Sequence, residues 1–408
     1  MGRTSLVLVI GFNILFASMG YNLSHVATNA YQNYINYYDK SVSHQLAASA
    51  ANIAASQICF TPNWRDGYSN VKMGAGTFSV TAVDTSSGTQ VAVSATATYN
   101  GVTTPIKLLL GLTKFSKFAY YSVVEGSINW ITGDTVFGPF HTQSKLTVSG
   151  NPVFLGKATA KQGMVKSPSS SKPVFQPAFQ SGIDINLPVD FSQIKGLGQS
   201  GGKYFKGKDI YLSFNKDGTV TYRNNSWTAV PATTVPINTL APNGVIVVDS
   251  ANLHLRGTLN GQVTVVALAS TSGKGNVWID SSVAYNTDPL KDKTSTDMLG
   301  IVADNNVIIK DTTWNDNSSK GVTLDASIMS RTGGLTAENY DSRPKSGTLT
   351  LVGGLQQYQR GAVGTFNSQT GQISTGFQKN YRYDSRLLVN SPPMYPNTGT
   401  YEVLSWFE

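Results

Sequence analysis

The sequence has one cysteine, Cys59, among its 408 residues. A single cysteine forms no disulfide within its own chain, which excludes a small secreted fold that is held together by disulfide bonds. A bridge between two chains through Cys59 stays open. Because a free cysteine more often behaves as a small buried apolar residue, we expect a half-buried thiol at the end of a helix.

Charge is also scarce. Asp, Glu, Lys and Arg make up 13% of the chain, against about 25% in an average soluble protein. Glycine and neutral polar residues replace them, which is more typical of an extracellular β-rich protein than of a cytosolic enzyme. The net charge of +8 is scattered, and small lysine groups such as Lys203, Lys206 and Lys208 belong to no basic helix or zinc finger. We therefore expect no nucleic-acid partner.

Proline is missing from residues 3–58, where the only charged side chains are Arg3, Asp39 and Lys40. Residues 5–19 are almost wholly apolar. Further along, apolar and aromatic residues recur at steps of three and four, which is the period of a helix face. One helix over residues 3–58 would be roughly 84 Å long at ~1.5 Å per residue, and Pro62 would end it. A helix of that length needs a partner or a membrane.

Three interpretations of this start compete. A cleaved secretory signal fits Arg3 and the apolar core, but Ser18 and Gly20 form a poor cleavage site. A plain membrane anchor would need about 20 apolar residues, and the run is nearer 15. A type IV pilin-like stem also explains why an almost uncharged helical pattern continues for some forty residues past the apolar run. Small residues permit close packing among copies of such a rod, whereas buried charge would be costly.

Two segments carry a resemblance. MGRTSLVLVIGFNILFASMGYNLSHVA and the later HQLAASAANIAASQI resemble the N-terminal helix of type IV pilin-like and minor-pilin proteins. Members of that family have a glycine cleavage site and a glutamate at the fifth mature position. Here cleavage after Gly11 places Phe16 at that position, and cleavage after Gly2 places Val7 there, so this chain departs from the family pattern.

The resemblance implies a structural subunit of an extracellular filament. Such a subunit is inserted in the inner membrane through its N-terminal helix before assembly, and pilus assembly machinery then packs it with identical copies. We assign assembly to twelve helix residues: Leu6, Val7, Val9, Ile10, Phe12, Ile14, Leu15, Phe16, Tyr31, Tyr34, Tyr38 and Leu46. The β-rich part would form the outer surface of the filament and could meet a surface glycan or another cell ligand. The resemblance implies no cofactor.

The rest of the chain predicts β-structure, so the expected fold class is α+β. After the helix (1–61), alternating runs and the Asn100-Gly101 turn predict a small antiparallel meander over residues 62–117. Short apolar runs separated by Gly, Asn and Asp then predict a right-handed parallel β-helix, over residues 118–160 and 240–408, with a β-sandwich as the alternative. We expect residues 161–239 to be a loop-rich insertion with a small sheet, including a hairpin at 211–222.

Four further stretches extend the resemblance: WITGDTVFGPFHTQSKLTVSGNPVFLGKATA, VIVVDSANLHLRGTLNGQVTVVA, LGIVADNNVIIKD and the tail PPMYPNTGTYEVLSWFE. They resemble a family of long bacterial pilin-like surface proteins whose large β-helix-type domain has no assigned function. This resemblance supplies no catalytic residues.

No motif for a zinc site, a P-loop, a dinucleotide site or a nucleophile elbow occurs, and we name no catalytic, cofactor-binding or metal-binding residue. One enzyme hypothesis remains, because β-helices also house polysaccharide-degrading enzymes with paired carboxylates. Its candidates are Asp249, Asp280, Asp304 and Asp311, with Lys310, Arg331 or Arg360 as charge stabilisers. Each aspartate is more simply a turn cap. The alternatives to the main subunit are thus a minor or tip adhesin and a membrane-tethered enzyme acting on a polysaccharide.

Overall fold

The structure, a computed structural model, describes residues 2–85, 90–367 and 372–408. The chain divides into two compact units. The first comprises Met1–Thr113 and Gly399–Glu408, and the second comprises Lys114–Thr398. A long N-terminal helix precedes strands that dominate the rest of the chain, which confirms the predicted α+β class at this level.

The N-terminal helix spans Gly2–Phe60. It ends two residues before Pro62, as expected from a residue that lacks an amide hydrogen and clashes with the preceding turn. Only its second half has a buried face. The buried residues recur every three or four positions, so they share one side of the helix: Asp39, Ser43, Ala47, Ala50, Ala51, Ala54, Ala55 and Ile58.

The helix packs on an antiparallel meander in the first unit. Its strands are Tyr68–Met73, Gly76–Asp84, Gln90–Tyr99 and Val102–Lys114, and each pairs with the next. Asn100 and Gly101 both have positive φ, 47° and 82°, which is the tight turn that the sequence predicts. The predicted meander is therefore present.

A fifth strand, Asn397–Phe407, lies beside Val102–Lys114 at the edge of this sheet. The prediction that the tail belongs to the large β domain is thus wrong for residues 399–408. Alternation in YEVLSWF indicates a strand, but alternation carries no information about a partner almost 300 residues away. In chain order, the residues of the second unit therefore fall between two strands that are neighbours in the first unit's sheet.

Alanine lets the helix approach its sheet closely. Ala47, Ala50, Ala51 and Ala54 have no exposed surface. They meet inward-facing side chains of the strands in one cluster, whose sheet members are Phe78, Val80, Ala82, Val91, Val93, Ala95, Ala97, Ile106, Leu108 and Leu110. Burial of this apolar surface is the main favourable term that holds the helix on the sheet.

The second unit is built from many short strands. In its first part they are Tyr120–Val124, Trp130–Ile131, Thr135–Val136, Phe140–Thr142, Leu146–Ser149, Val153–Phe154, Ala158–Ala160, Met164–Lys166, Val174–Phe175 and Phe179–Ser181. In its second part they are Lys203–Lys206, Ile210–Phe214, Thr219–Asn224, Thr233–Pro236, Val245–Asp249, Leu253–Leu259, Gln262–Leu268, Val277–Tyr285, Met298–Ala303, Val307–Ile309, Val322–Ser330, Leu335–Ala337, Lys345–Gln359, Gly364–Phe366 and Ile373–Tyr383. Its short helices are Phe115–Lys117, Ser192–Gln199, Ile237–Leu240 and Ser385–Leu388.

Most of these strands pair in parallel with strands roughly one coil away in sequence. Val153–Phe154 lies between Thr135–Val136 and Val174–Phe175, and Val245–Asp249 lies between Lys203–Lys206 and Gln262–Leu268. A β-sandwich would instead pair its strands antiparallel. Parallel stacking is the pairing that a β-helix requires, while the right-handed β-helix itself stays a prediction.

The largest apolar cluster of the second unit extends from Tyr120 to Phe377, and aromatic rings fill its first part. Phe140 and Phe154 meet edge to face with centroids 5.0 Å apart, and Phe154 stacks on Phe175 at 5.0 Å. Phe175 in turn meets Phe179 at 5.3 Å. Such ring pairs add favourable geometry to the large area that each ring buries.

The region predicted as an insertion, residues 161–239, belongs largely to the same stack. Met164–Lys166, Val174–Phe175 and Phe179–Ser181 pair in parallel with strands of the preceding coil. The expected hairpin is present, since Ile210–Phe214 pairs antiparallel with Thr219–Asn224. The insertion boundary is wrong because strands of two or three residues give no readable alternation.

Candidate functional site

The first half of the N-terminal helix is uncovered. Every residue from 2 to 34, here called the free segment, is exposed. The eight apolar assembly residues, from Leu6 to Phe16, have relative exposures between 49% at Ile10 and 69% at Val7. A continuous apolar surface of this kind marks an interaction with a membrane or with protein. By length and composition this is the one helix in the described residues that could cross a membrane.

The twelve predicted assembly residues fall into two groups. Ten lie in the free segment, including Tyr31 and Tyr34 at 67% and 65% exposure. Tyr38 is half exposed and meets the Tyr99 ring of the first unit's sheet at 6.4 Å. Leu46 is partly buried against the helix–sheet core of its own chain, and its role in contacts between copies stays a prediction. Periodicity showed which helix face is apolar but not what covers it.

Two buried polar side chains mark where the helix meets its sheet. Asp39 accepts a hydrogen bond from the Asn100 amide at 3.1 Å, and the Ser43 hydroxyl donates to the Ala97 carbonyl at 2.9 Å. Both residues are nearly or fully buried. A buried polar group that loses its partner is costly, so these bonds fix the register of the helix on the sheet.

Cys59 lies in the last turn of the helix and is exposed. Its thiol donates to the Tyr401 carbonyl at 3.4 Å, a contact within the first unit. The expected position at a helix end is confirmed, but the half-buried environment is not.

The predicted carboxylates of the second unit are each held by different partners. Asp249 accepts hydrogen bonds from Lys195, Ser270 and Tyr204. Burial alone would raise its pKa, but these bonds outweigh burial and hold the pKa of Asp249 well below the usual range. A carboxyl of this kind stays ionised, which is unsuited to a general acid.

Asp304 and Asp311 also have structural partners. Arg331 binds Asp304 at 2.6 Å, and the other Asp304 oxygen accepts the Ala269 amide at 2.7 Å. The side-chain amide of Asn339 donates to Asp311 at 2.9 Å and lowers the pKa of that carboxyl. These bonds join each aspartate to a neighbouring coil rather than to its own turn, so the turn-capping role that the sequence favours stays a prediction.

Asp280 and Lys310 do come together, in a groove of about 350 Å³. The Trp227 indole donates to Asp280 at 2.6 Å, and His254 lies 3.0 Å from the same carboxylate. Lys310 approaches it to 3.9 Å. Asp280 is the only carboxylate among the described residues that line this groove, whereas glycosidic cleavage needs two.

The histidines of the described residues belong to no cluster of potential metal ligands. The structure brings together no group of three or more His, Cys, Asp or Glu residues there that could hold a metal ion. His141 is buried, and burial lowers its pKa to about 4. It is therefore neutral near pH 7, with Nδ1 at 2.7 Å from the Thr159 hydroxyl.

Asp325 is the carboxyl with a raised pKa that the sequence does not reveal. Burial raises its pKa from 3.8 to about 7. One oxygen accepts the Tyr285 amide at 2.9 Å, and the other is buried with no partner among the described residues. A general acid must reach substrate, and Asp325 has only 6% of its surface exposed. Its pKa therefore reports burial rather than catalysis.

Replacing Asp325 with asparagine is expected to remove a pH dependence of stability. The unfolded aspartate loses its proton near pH 4, while the folded one keeps it to about pH 7. The wild-type chain should thus lose stability as pH rises between these values, by up to about 1.4 kcal/mol per pH unit. Urea unfolding of both proteins at pH 4, 5.5, 7 and 8 measures this slope, which Asp325→Asn should flatten.

The matched control is Asp217→Asn in the exposed hairpin turn. Hydrogen bonds from Thr219 lower the pKa of Asp217, so its removal should leave the slope between pH 4 and 7 unchanged. If Asp325→Asn keeps the wild-type slope, Asp325 is ionised in the folded protein and the assigned pKa is wrong.

No family model matches the chain, and no curated protein matches it. Among solved structures the chain is similar to the crystal structure of competence-associated pilin ComZ from Thermus thermophilus. The TM-score is 0.36 at 11% sequence identity, and the alignment covers 91% of this chain and 96% of that chain.

Proposed function

We propose that this protein is a structural subunit of an extracellular type IV pilin-like filament, which assembles through its N-terminal helix. The observation that carries the proposal is the free segment: an apolar helix half that no part of its own chain covers. Exposed apolar surface costs roughly 25 cal/mol per Å² in water. Lipid would cover this surface before assembly, and helices of neighbouring copies would cover it afterwards.

The second half of the helix supports this proposal by a different property. It is anchored on the sheet of the first unit by alanine packing and by the Asp39 and Ser43 hydrogen bonds. The free segment is therefore attached to a folded unit through a continuous helix rather than a flexible linker. A rigid attachment suits a subunit whose position in an assembly is set by its helix.

The second unit would form the outer surface of the filament. Its parallel-paired strands support assignment as a right-handed β-helix, with the coils sharing one continuous core. We propose no enzymatic activity, because the candidate carboxylates are held separately by lysine, arginine and amide partners. Assays of the wild-type protein and of Asp304→Ala on acidic and neutral glycans test this statement. Cleavage by the wild-type protein that Asp304→Ala loses would contradict it.

Deletion of residues 1–30 is expected to convert the assembling chain into a soluble, folded monomer. The deleted side chains are exposed throughout the described range, so their loss uncovers no core. Ultracentrifugation and electron microscopy of the full and shortened chains measure assembly, and circular dichroism checks the fold. If the shortened chain still polymerises, the helix is not the driving element.

A minor or tip subunit that acts as an adhesin is the second candidate in the same class. Electron microscopy separates it from the main subunit, because only a main subunit gives long uniform fibres from the purified protein. The uncovered helix is compatible with both roles.

A further inference from the structure

The second unit contains a cavity of about 330 Å³ that filament assembly does not use. Four aromatic side chains line it: Tyr120, Trp130, Phe137 and Tyr381. Three cationic side chains, Arg360, Lys379 and Arg382, and one carboxylate, Asp134, also face it. A concave site with apolar walls and a few polar groups is the usual form of a small-molecule site.

Lys379 occupies a position where the stack elsewhere has core residues. Along the parallel ladder, Val322 aligns with Leu349, and Leu349 aligns with Lys379. Val322 and Leu349 are both buried in the core. In the same ladder, Tyr381 aligns with Leu351. The strand Ile373–Tyr383 thus has a lysine and a tyrosine at register positions where the neighbouring strands have aliphatic residues.

The other charged groups around the cavity already have partners. Arg360 binds Glu125 at 3.4 Å and lies over the Trp130 ring at 4.5 Å. Arg382 lies over Phe137 at 4.8 Å, and Asp134 accepts the Ile131 amide at 2.8 Å. Lys379 has no hydrogen bond and no ion pair with any residue that the structure describes, and it is exposed.

Lys379 is an exposed residue at the edge of the cavity, and its surroundings still disfavour the charged form of its ammonium group. Burial lowers its pKa to about 8, and the positive charge of Arg360 acts in the same direction, while Asp134 and Glu125 act against it. The group is still mainly charged at pH 7. A cation that lines a concave site and has no partner gains a charge-assisted hydrogen bond when an anion enters the cavity.

We propose that this cavity binds a sugar ring that carries a carboxylate, such as a uronic acid unit. The carboxylate would pair with Lys379, and the apolar face of the ring would lie on the aromatic walls. The Asn380 amide and Asp134 line the same cavity and could bond ring hydroxyls. Inorganic phosphate offers no apolar face to four aromatic rings, which disfavours a simple phosphate site.

Calorimetry of the full chain in detergent tests this proposal with four probes: glucuronate, glucose, benzoate and inorganic phosphate. Glucuronate should bind at least tenfold more tightly than the other three. Glucose lacks the charge, benzoate lacks the hydroxyls, and phosphate lacks the ring. Equal binding of phosphate or benzoate overturns the sugar assignment, and failure of glucuronate to bind overturns the site.

Lys379→Met separates loss of the site from loss of the fold. Methionine keeps the length of the side chain without its charge, and it suits a position that aligns with Leu349 on the neighbouring strand. Glucuronate affinity should fall about tenfold or more, with thermal stability equal to wild type or higher. Lys291→Gln, at an 85% exposed lysine outside the cavity, should change neither quantity. Wild-type affinity in Lys379→Met overturns the proposal.

A pH series adds a readout that a merely structural lysine would not give. Glucuronate affinity should fall about tenfold per pH unit above pH 8, as Lys379 loses its proton. In Lys379→Arg the charge persists, so this decline should disappear. The charged groups that face Lys379, Arg360, Arg382, Asp134 and Glu125, are the same in both proteins. A parallel decline in both overturns the role of Lys379.

Discussion

The chain in which Val9 and Phe12 are both replaced by lysine is expected to disappear from membrane fractions and to form no filaments. Both positions lie in the uncovered apolar segment, at 57% and 54% exposure. A lysine at the centre of a membrane helix costs about 2.5–3.5 kcal/mol, so two in one turn cost about 6 kcal/mol. The same two charges would also be buried without partners among packed helices.

The control places two lysines on the same helix outside the free segment, as Ser49→Lys and Asn52→Lys. Both positions are exposed, and their side chains bond only to carbonyls one turn back in the helix. This variant should keep membrane insertion. Fractionation of cells and electron microscopy measure both proteins. If Val9→Lys with Phe12→Lys still inserts and assembles, the apolar run does not provide the driving force.

The extent of the N-terminal helix was predictable from the absence of proline and the scarcity of charge. With no proline and almost no charge before Pro62, the helical period extends without interruption, and the structure ends the helix at Phe60. The partner of each helix face was not predictable in the same way. The alanine-rich run at residues 45–58 resembles a surface for packing among copies, yet Ala47, Ala50 and Ala54 are buried on the chain's own sheet.

Strand pairing over long distances was only partly predictable. Alternation in residues 90–99 identifies a strand and the turn at Asn100-Gly101 identifies its partner, because hairpin partners are adjacent in sequence. The strand Asn397–Phe407 pairs far from its position in the chain, and no local pattern records such a contact. Strands such as Val174–Phe175 are too short for any period to show.

The candidate binding site lies beyond what the sequence could show. Residues 373–383, ISTGFQKNYRY, carry no recognisable binding motif, and the sequence assigns them only to the coils of the large β domain. Only the register shows that Lys379 aligns with the buried Leu349 and lines the cavity. Asp325 is hidden in the same way, because its burial depends on neighbouring coils and not on its own flanking residues.

Gly257→Ala is expected to destabilise the second unit strongly, although the substitution adds only one methyl group. Gly257 has a φ of 107° and lies where the strand Leu253–Leu259 shifts register against its neighbour. It pairs with Phe214 on the adjacent strand, and an added Cβ would overlap the Phe214 carbonyl oxygen and amide nitrogen. Backbone strain of about 1–3 kcal/mol would be joined by this clash, for a total above about 4 kcal/mol.

Gly261→Ala isolates the contribution of the clash. Gly261 lies four residues further on and also has a positive φ, 130°, but no heavy atom lies within 4 Å of an added Cβ. The Gly261→Ala variant should therefore lose only about 1–3 kcal/mol of stability, which comes from backbone strain. Urea unfolding of both variants, followed by tryptophan fluorescence, measures the difference. Both substitutions add one methyl group at positive φ. Equal losses in the free energy of unfolding would therefore mean that the strand pair separates to accommodate alanine at position 257. The tight approach between these neighbouring coils would then not be needed for stability.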